Sequence, residues 1–220
     1  MPILSAALAT ISILHGAHLQ GPTPFNPKLG PSGAPAISVT DFQDITPNDR
    51  CYEALQSLSE RYGIVGPLKD KKFHPEMAMT WAEGYLTTYR LLNTAAKFFR
   101  DPDSGPGKAF YDGLKRRNNK PVKDLKALEK SLKGSEYGYM VVGLADFYKC
   151  YLGPNPMAIK INAAMTRAEA VDFYLKVFAP KAITFPWDSN SKAEMSKVIS
   201  RGEFAILAND CMNDFVAGIS

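Results

Sequence analysis

Apolar residues recur at helical spacing through most of the chain beyond Cys51. Tyr52, Leu55 and Leu58, with Tyr62 beyond, fall three or four positions apart and predict a helix from Cys51 to Arg61. Thr46-Pro47-Asn48-Asp49 precedes it and offers Asn48 or Asp49 as N-cap, and Gly63 supplies a left-handed stop. Ile64-Val65-Gly66-Pro67 then reads as a turn, and Lys69 to Pro75 as a basic loop. A second helix, beginning after Met79, carries Tyr85, Leu86, Tyr89 and Leu92 on one stripe. A later stripe holds Ala170, Phe173, Tyr174, Val177 and Phe178, and the last holds Phe204, Leu207, Ala208, Cys211, Met212 and Phe215. Between them, Val122 to Leu132 predicts an exposed amphipathic helix, and Tyr137 to Leu152 a more apolar one belonging to the core.

The stripes after Met79, Met165 and Ile199 open in the same way. Met79-Thr80-Trp81-Ala82-Glu83, Met165-Thr166-Arg167-Ala168-Glu169 and Ile199-Ser200-Arg201-Gly202-Glu203 each give an apolar residue, a hydroxyl, two further residues and a glutamate. That is a capping box behind a staple residue: the hydroxyl accepts from the N–H three residues on, and the glutamate reaches back to the N–H of the cap. Thr80/Glu83, Thr166/Glu169 and Ser200/Glu203 are therefore read as structural caps. One such box marks a helix start, and three near-identical ones suggest an internal repeat. Their spacing is uneven, 86 positions from Thr80 to Thr166 and 34 from Thr166 to Ser200. The excess lies in a basic segment at about 100–134, read as an insertion.

The remaining chain divides simply. Residues 1–20 contain an apolar run, Ile3 to Leu14, followed by small residues around Ala17. It suits either a signal peptide, although no basic residue precedes it, or an N-terminal helix. Residues 21–38 are rich in proline and glycine and read as a linker. The domain proper is expected at 39–220.

Composition narrows the function classes modestly. The net charge of +4 favours anionic partners, weakly. Cys51, Cys150 and Cys211 form no close pair, so a cysteine-built zinc site is not expected, and small buried apolar positions are the simplest reading. His74 is the one histidine of the expected domain, and no nucleophile elbow, zinc-protease helix or P-loop is present. The chain is therefore not expected to be an enzyme, and no cofactor or metal is implied. The basic run around Lys115-Arg116-Arg117 lacks interleaved aromatics, so nucleic acid is not an expected partner.

One segment has a more specific pattern. Phe42-Gln43-Asp44-Ile45, then Ala54 and Leu58, then Gly63-Ile64-Val65-Gly66, then Asp70, Phe73 and Pro75, and finally Thr80, Ala82 and Glu83 occur in this order. The stretch, about 42–92, resembles a repeat of the S-layer-homology family in both order and spacing. Two degenerate repeats are marked only by their ends, Thr166-Arg167-Ala168-Glu169 and Ser200-Arg201-Gly202-Glu203. The resemblance implies a mostly α fold, with helix-loop-helix repeats in a distorted pseudo-three-fold bundle. It implies an exported protein of the cell envelope, periplasmic or at the surface, that binds anionic cell-wall glycan, either a secondary polymer or a peptidoglycan-linked one, including pyruvylated sugars. Carried over by position, Arg167 and Arg201 become the anion-binding residues, Gly66 the family's loop glycine, and Trp81 a platform for a sugar face. A guanidinium suits such a carboxylate because it donates two parallel hydrogen bonds. Replacing both arginines is then expected to abolish wall binding and leave thermal melting nearly unchanged. Trp81 stands where the family has arginine. That departure favours the alternative of a structural subunit or adaptor that uses degenerate repeats to dock other envelope proteins.

Overall fold

The computed structural model describes residues 38–66, 70–98, 125–133, 138–146, 161–178 and 183–217, together with positions 108, 112, 148, 150, 152–153 and 180. The export-signal and linker readings, and most of the basic insertion, lie outside these residues. The described chain is mostly helical, and its only strand-like pairing is a set of isolated bridges.

The fold begins with a 3-10 turn, Val39–Asp41, capped by Ser38. Its entry is fixed from a distance: the Glu60 carboxylate accepts from the Val39 N–H at 2.9 Å and the Ser38 hydroxyl at 3.2 Å. Helix α1 runs over Tyr52–Gln56 and continues as a π-turn over Ser57–Arg61. Leu55 and Leu58 are fully buried, as their spacing predicts. The expected cap at Asn48 or Asp49 is a correction. Cys51 holds the N-cap position without a side-chain bond, and the Asp49 carboxylate instead accepts from the Thr46 N–H at 2.6 Å. An acceptor two residues too early closes its own turn and leaves the helix end to the backbone. Gly63 ends the element with φ of 63°, and its successor's N–H returns to the Leu58 carbonyl at 2.8 Å.

The scattered residues of the Phe42-to-Pro75 pattern converge on the loop that follows. The Asp44 carboxylate accepts from the N–H groups of Phe73 (2.8 Å) and His74 (2.7 Å). The Phe42 and Phe73 rings meet edge to face at 5.7 Å. An aspartate and an aromatic two residues apart thus clasp an aromatic and its neighbour 29 or 30 positions later. The clasp holds Lys71 and His74 in left-handed backbone, φ 61° and 58°. Such conformations persist only where surrounding contacts over-determine them.

Three longer helices enclose the main core: α2 (Trp81–Phe98), α5 (Arg167–Phe178) and α7 (Arg201–Ala217). Two shorter ones, α3 (Leu125–Ser131) and α4 (Gly138–Asp146), pack on each other, and α4 also packs on α2. One turn, α6 (Lys192–Met195), precedes α7. Tyr174 of α5 lies at the centre, fully buried. It stacks on Phe178 at 5.3 Å, meets Phe204 of α7 edge-on at 5.1 Å, and receives the Thr88 hydroxyl of α2 at 3.3 Å. The ring contacts join α5 to α7 with the stacked and T-shaped geometries that aromatic quadrupoles favour, and the Thr88 hydroxyl adds α2.

The expected exposed helix in the insertion is present over Leu125–Ser131 among the described residues, and it is only half exposed. Leu128 and Leu132 are buried while Lys126, Glu129 and Lys130 face outward. The apolar side is covered by α4, where Met140, Val141 and Leu144 are fully buried. Gly143 allows that helix close to α2, because a Cβ there would lie 3.1 Å from the Tyr89 ring.

Candidate functional site

The apolar residue before each capping box is extended, so its backbone N–H and C=O lie outside any helix and need partners. The three find them in one another. The Met79 N–H donates to Ile199 O (2.9 Å), the Ile199 N–H to Met165 O (3.0 Å), and the Met165 N–H to Met79 O (2.9 Å). The bonds close a ring, and all three side chains are buried beneath it. A second turn of bonds runs around this ring in the opposite sense. The N–H groups of Trp81, Arg167 and Arg201 donate to the carbonyls of Ala163 (3.1 Å), Lys197 (2.8 Å) and Met77 (2.8 Å). The hydrogen-bond pattern is thus three-fold although the sequence spacing is not.

All three capping boxes form. Glu83 accepts from the Thr80 N–H at 3.0 Å, Glu169 from Thr166 at 2.8 Å and Glu203 from Ser200 at 3.1 Å. Each box is completed by the hydroxyl, which accepts from the glutamate's own N–H at 3.2–3.3 Å. The staple expectation is revised at the first helix. Gly84, the residue a staple would touch, has no side chain, and the sulfur of Met165 fills the place, 2.9 Å from where a Cβ would stand.

The glutamates do more than cap. Arg201 at the start of α7 reaches Glu83 at the start of α2, Nη2 to Oε1 at 2.7 Å. Arg167 at the start of α5 reaches Glu203 at the start of α7 through Nε (3.2 Å) and Nη2. One carboxylate oxygen closes the local box or shares in it, and the other binds an arginine at the start of a different helix. The third such socket is left open: Trp81 stands in the arginine's place, and no cation among the described residues faces exposed Glu169. The Trp81 indole instead packs on Tyr85 (5.5 Å) and Phe173 (6.0 Å), with Gly153, at φ 101°, beside its edge.

The two arginines sit in different surroundings. The Arg201 side chain is 3% exposed, and its Nη1 donates to the Phe73 carbonyl at 3.0 Å within the Asp44 clasp. Gly202 lets the clasp close over it, since a Cβ there would meet Pro75 at 3.2 Å and the Cys51 sulfur at 3.4 Å. The alanine-to-glycine departure in the third motif therefore has a packing cause. Arg167 is 13% exposed. Its guanidinium carbon is 4.9 Å from the centre of the Trp187 ring, and its Nη1 meets the Glu194 carboxylate of α6. Hydrogen bonds that it donates to Glu203 and then Glu194 push its already high pKa further up, so it stays charged. Lys197, then Arg167, hold the Glu194 carboxyl below its usual range.

Of the residues singled out from the sequence, Arg167 is the one at an open edge. Arg201 and Gly66 are buried, and Trp81 is half-buried in an aromatic cluster. The expectation that both arginines can be removed without affecting melting is corrected for Arg201, whose loss would strand Glu83 in the interior. Trp187 belongs to none of the motifs that mark the other site residues. The signal available was its rarity, because the chain has two tryptophans.

Cys51, Cys150 and Cys211 are free and buried. Burial, aided by nearby Asp49, Glu76 and Asp44, raises the Cys51 thiol to about 11, and burial raises the other two further. Among the described residues no group of three or more histidine, cysteine or acidic side chains could hold a metal ion, and no helix is long and apolar enough to cross a membrane. Compared with family models, curated proteins and solved structures, the chain matches none.

Proposed function

We propose that this protein is a non-catalytic binding module of the cell envelope, of the S-layer-homology type, that holds an anionic wall glycan beside Arg167. The observation that carries this reading is the closed ring of Met79, Met165 and Ile199, which brings three Thr/Ser-x-x-Glu helix starts to one centre. Such a ring gives a use to a motif repeated three times at uneven spacing. Within it, Arg167 combines the features a carboxylated sugar needs. It offers a permanent cation at a helix N-terminus, where the backbone also favours negative charge. Beside it lies the half-buried indole of Trp187, a surface suited to a sugar face. Lys197, 57% exposed, adds a second cation at the rim.

The test is co-sedimentation of the full chain with sacculi from its source, before and after mild acid treatment that removes ketal-linked pyruvate. Binding that is lost on acid treatment and lost in Arg167→Ala supports the reading. Binding that survives Arg167→Ala with the protein folded would overturn the site.

A second reading, a docking scaffold for other envelope proteins, is favoured by the neutralisation of both arginines by Glu83, Glu194 and Glu203. Absence of sacculus binding, together with recovery of a defined envelope protein in a pull-down, would favour it.

A further inference from the structure

We propose that Glu194 is a built-in competitor for the ligand anion at Arg167, setting how strong an anion the site accepts. The inference rests on the glycan-binding reading and deepens it. It comes from comparing what each arginine does with its second donor group. Beyond Glu83, Arg201 donates to a backbone carbonyl, Phe73 O, fixed by the Asp44 clasp. That acceptor is neutral and cannot leave. Beyond Glu203, the Arg167 Nη1 donates to the Glu194 carboxylate on α6, with the Glu194 backbone carbonyl farther off at 3.4 Å. This element is a single turn capped by Ser191 and has no buried side chain. Glu194 itself is 31% exposed. A partly exposed carboxylate at the edge of a guanidinium has the same charge and geometry as the group a carboxylated sugar would present.

The exchange leaves every charge compensated. Glu203 keeps the Nε and Nη2 side of Arg167, the ligand carboxylate takes Nη1, and Glu194 retains Lys197. A small free anion gains only what Glu194 gives up. A carboxylated sugar also gains contact with Trp187, so it displaces Glu194 where phosphate or sulfate does not.

The experiment compares the full chain with Glu194→Gln and Glu194→Ala. Sacculus-binding isotherms are read alongside the rate of phenylglyoxal labelling at Arg167, located by mass spectrometry, with Arg201 as internal reference. The expected result is about three- to tenfold tighter sacculus binding by both variants, in line with removal of a partly exposed ion pair. Faster labelling at Arg167, unchanged labelling at Arg201 and gain of measurable inorganic phosphate binding would accompany it. Wild-type binding with no gain in either variant overturns the competitor role and leaves the glycan reading standing. No binding by any of the three proteins overturns the glycan reading and this inference with it. Labelling that rises equally at both arginines assigns the change to general loosening and also overturns the competitor role.

Discussion

The starts of α5 and α7 carry nearly the same four residues, Thr166-Arg167-Ala168-Glu169 and Ser200-Arg201-Gly202-Glu203, yet one arginine is sealed and the other is partly exposed. The difference comes from what covers them. A loop pinned by Asp44 and Phe42 lies over Arg201, and Gly202 lets it approach. A single exposed turn and a tryptophan flank Arg167. The same local motif is thus a structural tie in one place and a candidate recognition group in the other. Its role is set by residues more than a hundred positions away in the first case and about twenty to thirty in the second.

The comparison can be broken most sharply at the sealed tie. Arg201→Met leaves the buried Glu83 carboxylate without its cation and should cost about 3–5 kcal/mol in chemical denaturation. Adding Glu83→Gln should recover part of that loss. Full additivity of the two substitutions would show that the pair is not coupled.

Cys51, beneath Gly202, reports on the same region through pH. The unfolded thiol ionises near pH 8.5 and the folded one near 11, so between these values the folded protein holds a proton that the unfolded chain has released. Its contribution to stability is complete below about pH 8.5 and declines as pH rises to 11, by about 1–2 kcal/mol after allowance for solvent screening. Cys150 and Cys211 steepen the decline, and Cys51→Ala should flatten it by the first thiol's share in melts taken across that range. Below pH 8, native Cys51 should resist thiol-specific reagents, since the reactive thiolate is scarce and covered.

At the open edge the expected losses are smaller. Arg167→Ala should lower stability by about 1–2 kcal/mol, because Glu203 and Glu194 can both turn toward water. A loss as large as that of Arg201→Met would erase the distinction between sealed and open. Glu194 adds a shallow acid dependence: its depressed carboxyl contributes stability above about pH 4.5 that fades as pH falls through its folded value, and Glu194→Gln should remove that feature. The smallest effect is expected at the empty third socket. Glu169→Gln disturbs only an exposed cap and should change stability by less than about 1 kcal/mol.

Much of this architecture could be read from local pattern. The apolar stripes identified the long helices, and the Thr/Ser-x-x-Glu tetrads identified their starts, because helix periodicity and capping involve residues within one or two turns of each other. Gly63 as a left-handed stop was legible for the same reason. Asp49 was misread because its side chain had two competing local acceptor roles, and the closer turn at Thr46 won. The cover over Leu128 and Leu132 was not legible, since a stripe of apolar residues says that a partner exists without saying which element provides it.

The sequence by itself determined the long helices, their Thr/Ser-x-x-Glu caps and the presence of three similar starts, all of which are short-range chemistry. Tertiary structure alone decided that the starts close a ring, that each of two glutamates serves a second helix, and that Arg201 is enclosed while Arg167 meets Trp187. Those outcomes depend on long-range burial: a backbone group or a guanidinium takes whichever partner the packed core leaves within reach, and no local pattern encodes that distance.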